Sequence, residues 1–324
     1  MTASAFDARR VLASPAAMGA LGRLATALRS CGYENRPQDD GRAIARAACE
    51  LALGHDVERA AVPVGLLAPR DLDALVDATA LDDSAGTVAP RFALYATGST
   101  LVLVPSDDGE APDRVYFARD TLMLSELARQ AGPGHGVAAD LGTGPGTVAA
   151  HLAEDYELVV ATDILPRTAA CAAITLRLNP RPDGRPAGSV CVADVAGGLR
   201  AGRFDLVAAN PPWMPRLPDG RTLTFASGGV TGFELPRRFI MEAVGLLAPG
   251  GVAVIVTGDL TWNDGRRPLH ALARGLRRLG HEVAVVPTDA AAAWPDFEEQ
   301  LLARYHALAA AGHAGLLVQR RGGG

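Results

Sequence analysis

The hydrophobic and polar positions follow two patterns, and the change between them comes near residue 115. Over residues 6–30 (FDARRVLASPAAMGALGRLATALRS) and 38–53 (QDDGRAIARAACELAL) apolar residues recur at helical spacing, which predicts helices. A short apolar segment, VPVGLL, precedes PRDLDALVDATAL, another helical pattern with Asp71 near its start. RFALYATGSTLVLVPSD predicts two strands joined around Gly98, a hairpin. Helices followed by a hairpin suggest a mainly helical, winged-helix-like domain over residues 1–110, with a plain helical lid as the alternative. SDDGEAPDR (residues 106–114) is a polar linker containing Pro and Gly.

Beyond it, strand and helix patterns alternate. GVAADLG, ELVVATD, SVCVADV, FDLVAAN, GGVAVIVTGD, HEVAVVP and AGLLVQR are short apolar runs of the kind buried on both faces of a parallel sheet. Seven strands with helices between them predict a doubly wound, Rossmann-like α/β domain over residues 111–324.

Composition narrows the picture. A chain of 324 residues accommodates two domains, and 48 % hydrophobic with 21 % charged residues is a globular balance. No apolar run approaches the roughly 18 residues that cross a bilayer, and MTASAFDARRV lacks the apolar core of a signal peptide. Cys31, Cys49, Cys171 and Cys191 have no metal-ligand or disulfide spacing. No membrane partner and no metal are therefore expected, and the compartment is expected to be the cytoplasm. Every one of the 31 basic residues is arginine, and the net charge is −5. Residues 1–110 hold 10 Arg against 15 acidic residues, whereas residues 111–324 hold 21 of each. Nucleic-acid binders usually present a basic face, so the acidic first domain favours a lid or a docking surface over DNA or RNA binding.

The candidate chemistry begins at Asp140-Leu-Gly142-Thr143-Gly144-Pro-Gly146, where the first strand of the second domain turns into a helix. Glycines let a backbone turn pass close under a ligand. Dinucleotide binding would place the third glycine at position 147, where Thr147 stands. Asp163, followed by Ile164, ends the second strand, where a carboxylate can take both ribose hydroxyls. Asp194 ends the third strand, and helix capping is its competing role. The fourth strand leads into Asn210-Pro211-Pro212-Trp213. A rigid turn with a packed Trp is the plain alternative there.

The D-x-G-x-G-x-G turn resembles motif I of class I methyltransferases, which use S-adenosylmethionine (SAM) and release S-adenosylhomocysteine. The N-P-P-aromatic tetrapeptide resembles motif IV of the glutamine-amide and N6-adenine methyltransferases and of the methyltransferase small domain. The resemblance covers roughly residues 115–260 and implies SAM contacts from Asp140, Gly142, Thr143, Gly144, Gly146, Asp163, Ile164, Asp194 and Asn210. FARDTLMLSELA resembles the segment that closes over the methionine end of SAM, which implies the same for Asp120 and Thr121; N-capping is their alternative. The resemblance also implies methyl transfer to a planar nitrogen. Its N–H groups would donate to the Asn210 oxygen and the Pro211 carbonyl, with Trp213 stacked on the acceptor. Prolines 211 and 212 stiffen the loop. The expected acceptor is a protein or small-molecule amide or amine. A nucleic-acid base and a non-catalytic SAM-binding regulator are the alternatives. Arg216 and Arg221 in the following loop, and Trp262 past the fifth strand, are candidate substrate contacts; solvated loop arginines are the plain alternative.

Overall fold

The computed structural model describes residues 6–36, 43–106, 114–216, 224–288, 302–303, 305 and 308–321. The first helical pattern is two helices, α1 (Ala8–Ala13) and α2 (Pro15–Ser30). The break falls at Ser14, whose hydroxyl accepts from the Ala17 N–H, and Pro15 begins the new helix. Next come α3 (Ala43–Ala52), β1 (Val57–Glu58), α4 (Pro69–Asp77), β2 (Leu81–Ser84) and β3 (Thr87–Pro90). These strands form an antiparallel sheet in the order β1-β3-β2. The expected hairpin is present as β4 (Phe92–Thr97) and β5 (Thr100–Pro105), paired with each other. A second hairpin, β2 and β3 after α4, pairs with β1 from before it. Its sequence, LDDSAGTVAP, is too polar and too short to stand out as strands.

The second part runs α5 (Arg119–Ala131), β6 (Val137–Leu141), α6 (Thr147–Leu152), β7 (Leu158–Asp163), α7 (Pro166–Leu178), β8 (Ser189–Val192) and β9 (Phe204–Ala209). It continues with α8 (Glu234–Leu246), β10 (Leu247–Trp262), α9 (Pro268–Arg278), β11 (Glu282–Pro287) and β12 (Leu308–Gln319). All seven expected strands join one sheet in the order β11-β12-β10-β9-β6-β7-β8. Only β12 runs antiparallel to its neighbours. Helices cover both faces. Ile240, Leu269 and Leu276 pack with Val207, Ile255 and Leu316 on one side, and Leu124, Val148 and Leu152 with Ala138, Leu206 and Val254 on the other. This is a doubly wound, Rossmann-like α/β fold. Strand order reverses between β6 and β9, so a crevice opens beyond their carboxyl ends.

The two parts share a core. Phe6, Leu21, Leu28, Leu75, Phe92 and Leu103 cluster with Cys171, Ile174 and Leu178 of α7. Side chains of α7 and its cap also bond to the edge of β5. Leu101 N–H donates to Asn179 Oδ1 at 2.9 Å, Asn179 Nδ2 donates to the Leu101 carbonyl at 2.7 Å, and Leu103 N–H donates to Thr175 Oγ1 at 3.1 Å. A strand edge that would otherwise invite pairing is thereby capped. Among the described residues no helix is long and apolar enough to cross a membrane, and no group of residues is arranged to hold a metal.

Candidate active site

A cavity of about 390 Å³ lies at the reversal of strand order, within the size range of small-molecule sites. Its floor is the turn from β6 to α6. Gly142, Gly144 and Gly146 have φ of +66°, +58° and +86°, in the left-handed region that side chains rarely adopt. A Cβ on Gly146 would stand 2.9 Å from Cα of Ala172 in α7, so the third glycine is also fixed by packing. Asp140 is buried at 2 % exposure. Its Oδ2 accepts from Thr143 Oγ1 at 2.5 Å and from the Ala149 N–H at 3.1 Å, which ties the turn to α6. Burial pushes the Asp140 carboxyl up to about 7, against the opposing pull of these donors.

Asp163 stands at the end of β7, where its oxygens accept from Gly144 N–H at 3.1 Å and Leu165 N–H at 3.0 Å. Burial raises its pKa to about 6. Next to it, Ile164 is 54 % exposed and lines the cavity, an apolar surface facing empty space. The Thr168 hydroxyl, also on the lining, is buried with no hydrogen-bond partner. Asp194 lies on the same wall, where its Oδ1 accepts from Arg238 at 2.9 Å.

The opposite wall begins at Asn210, directly after β9. Asn210 and Pro212 line the cavity, and Pro211 is buried. Thr121 lines it as well, buried at 6 % exposure. Asp120 does not. Its carboxylate accepts from the Asn210 side-chain amide at 2.9 Å and from the Tyr116 hydroxyl at 3.1 Å. Trp213 also departs from its expected place. The ring is 7 % exposed, 5.6 Å from the His313 ring, and packed with Leu260, Tyr305 and Leu308. A Cβ on Gly258 would overlap it. The indole packs over the face of the paired strands β10 and β12 at Gly258 and His313, where burying a large apolar ring outweighs presenting it to solvent.

Two aromatic residues not anticipated from the sequence line the cavity instead. Tyr116 and Phe225 are stacked, with centroids 5.4 Å apart and planes at 15°, and the Arg114 guanidinium lies 4.7 Å over Phe225. No periodicity marks these residues, because they lie in irregular segments before α5 and before α8. Phe225 is held by backbone pairing of the following loop with the chain after Trp213. Met214 N–H donates to the Ala226 carbonyl, and Gly228 N–H donates to Met214, both at 2.8 Å. Among the other candidates, Arg216 is exposed and absent from the lining, and Arg221 lies outside the described residues. Trp262 packs beside the Trp213 cluster under the Arg266 guanidinium, also off the lining.

Residues 118–261 match the family model described as the methyltransferase small domain. Over this segment the chain resembles that domain. The chain is 36 % identical over 133 residues to the release factor glutamine methyltransferase of Moorella thermoacetica, covering 37 % of this chain and 45 % of that protein. It is 41 % identical over 64 residues to a putative protein N5-glutamine methyltransferase of Methanocaldococcus jannaschii, covering 18 % and 32 %. The match thus spans less than half of each relative. Among solved structures, Pyrococcus horikoshii TYW2 in complex with MeSAdo aligns with a TM-score of 0.47 at 11 % identity, covering 71 % of each chain.

The glycine turn, the aspartate at the end of β7, Asn210 and Pro212 lie around one cavity. These residues fit SAM. Ile164 would offer an apolar face to a base, Asp163 would offer carboxylate oxygens to ribose, and the glycine turn would leave backbone room beneath.

Proposed function

We propose that this chain is a SAM-dependent N-methyltransferase whose acceptor is the side-chain amide of a protein glutamine. The observation that carries this reading is the position of Asn210, which lines one cavity with Pro212 and the glycine turn while its side-chain nitrogen is bonded to Asp120. The names of the relatives, both glutamine methyltransferases, point the same way.

An amide nitrogen is a poor nucleophile because its lone pair is delocalised into the carbonyl. Two N–H bonds donated to Asn210 Oδ1 and the Pro211 carbonyl would hold the nitrogen still, and its lone pair could turn out of the amide plane. Pro212 has no N–H to compete for those acceptors. SAM, when bound, supplies an electrophilic methyl group on a sulfonium. The chain's own contribution is positioning and electrostatic support for charge that develops on nitrogen. Tyr116 and Phe225 give the planar acceptor the aromatic wall that Trp213 does not. The N-methyl amide can lose its extra proton to water, so no dedicated base is needed.

In this reading residues 111–324 are the catalytic domain, and residues 1–110 are an accessory domain that engages the protein acceptor in the cytoplasm. The excess of acids over residues 1–110, 15 against 10 Arg, supports a protein over a nucleic acid, since it would repel phosphates. The test is incubation with SAM carrying a labelled methyl group and a cell lysate, followed by digestion and mass spectrometry. N-methylglutamine in a labelled peptide supports the reading. Label found only in nucleic acid, or nowhere, overturns it.

A further inference from the structure

Resemblance assigns Asp120 to the methyl donor, yet its carboxylate is absent from the cavity lining and is bonded to a residue that does line it. We propose that Asp120 is a positioning residue that fixes which way round the Asn210 carboxamide stands, so that its oxygen faces the methyl acceptor. This inference rests on the proposed amide methylation and adds to it a specific control of the acceptor's hydrogen bond.

The two ends of a carboxamide have nearly the same shape, so packing alone does not choose between them. The neighbours choose. An ionised carboxylate accepts hydrogen bonds and donates none, so only the Nδ2 end of Asn210 can face Asp120. The carboxylate is itself held on both sides. Its Oδ1 accepts from the Thr121 N–H at 2.8 Å, and its Oδ2 takes Asn210 Nδ2 at 2.9 Å and the Tyr116 hydroxyl at 3.1 Å. A bond to a charged acceptor is roughly twice as strong as a neutral one. The reversed amide would set two oxygens against each other at Asp120 and point an NH2 group at an acceptor that is itself an NH2 group. Neither contact forms a hydrogen bond, and the nitrogen to be methylated would lose its anchor. The sequence separation is instructive. Asp120 opens α5 and Asn210 follows β9, so the orientation of a residue at the chemistry is set 90 positions upstream. Tyr116 joins the same carboxylate to the cavity wall through its stack on Phe225.

The experiment compares wild type, Asp120→Asn, Asn210→Ala and the double variant. The first readout is the side-chain NH2 signal of Asn210 in a nitrogen–proton NMR spectrum, identified by its loss in Asn210→Ala. It should be shifted and protected from solvent exchange in wild type, and both features should disappear in Asp120→Asn. The second is the affinity for S-adenosylhomocysteine, which should stay within about threefold in Asp120→Asn. The third is labelled methyl transfer to lysate protein at saturating SAM, which should fall roughly 10–100-fold in Asp120→Asn. Against the Asn210→Ala background the same change should cost nothing further, because Asp120 acts through Asn210. An unaltered Asn210 signal overturns the proposal. So does a loss of roughly tenfold in S-adenosylhomocysteine affinity with the transfer rate intact, which would make Asp120 a cofactor contact. If circular dichroism shows that Asp120→Asn alters the fold, Asp120→Ala is read in the same three ways. A wild-type protein that transfers no methyl refutes the function proposed above, while the NMR and affinity readouts still decide the role of Asp120.

Discussion

Trp213 packs against the bare backbone of Gly258, and a Cβ at that position would overlap the indole. The Asn-Pro-Pro-Trp segment is therefore anchored to the sheet by its last residue while its first faces the cavity. Gly258→Ala should destabilise the protein by about 1–3 kcal/mol, as overpacked cores do, and should displace Asn210 with it. Urea denaturation and methyl transfer measured together check this. Gly258→Ala/Trp213→Phe should recover part of both losses, whereas an unrelated defect would not respond to the smaller ring.

Two buried carboxyls give the ligand-free protein a distinctive pH dependence. Burial raises Asp140 to about 7 and Asp163 to about 6, both above the ordinary value of 3.8. Between the unfolded and folded values the native state holds protons that the unfolded chain has released. Their contribution to stability is complete below the unfolded value, declines as pH rises through the folded values, and is then lost. Stability should thus fall from about pH 4 to about pH 8 by on the order of 5 kcal/mol and level off above that. Asp140→Asn keeps an oxygen for the Thr143 and Ala149 donors and should flatten most of the slope. Denaturation midpoints across this range decide the matter, and a wild-type stability that climbs over the interval would contradict it.

Asn179 carries the junction between the two parts of the chain. It bonds to both the N–H and the carbonyl of Leu101 and accepts from Arg29 at 2.8 Å. Asn179→Ala leaves those groups unpaired at a buried edge and should cost about 2–4 kcal/mol. Hydrogen exchange localises the effect. The Leu101 amide should lose protection first, while amides in the centre of β6 keep theirs.

Asp163→Ala removes the carboxylate proposed to face ribose and frees the Gly144 N–H that it accepts. Isothermal titration should show S-adenosylhomocysteine affinity reduced roughly 10–100-fold. The same change at Asp194, whose carboxylate is half exposed and paired with Arg238, should cost roughly tenfold or less.

Much of this architecture is legible in the sequence because it is set by local rules. The strands of the large sheet are buried apolar runs, and the glycine spacing of 142–146 reports a backbone that only glycine adopts. Asp140 and Asp163 stand where strand ends meet the turn, so their positions follow from the strands. What the sequence hides depends on contacts across the fold. Trp213 reads as a ligand wall until Gly258 and His313 show the face that takes it. Asp120 reads as a cofactor contact until Asn210, far along the chain, turns out to be its partner. Tyr116 and Phe225 lie in segments without periodicity, and only the return of the loop after Trp213 brings them together. The β2–β3 hairpin is too polar to register, since its pairing rather than its composition makes it a strand pair.

The most direct test of the central claim is where the methyl group ends. Protein acceptor labelled with nitrogen-15 at the glutamine side chain, methylated from SAM carrying a carbon-13 methyl, should show a one-bond carbon–nitrogen coupling by NMR, and Asn210→Ala should abolish it. A carbon-13 methyl without that coupling would place the methyl on another atom and contradict the account, as would wild-type enzyme that leaves the acceptor unlabelled.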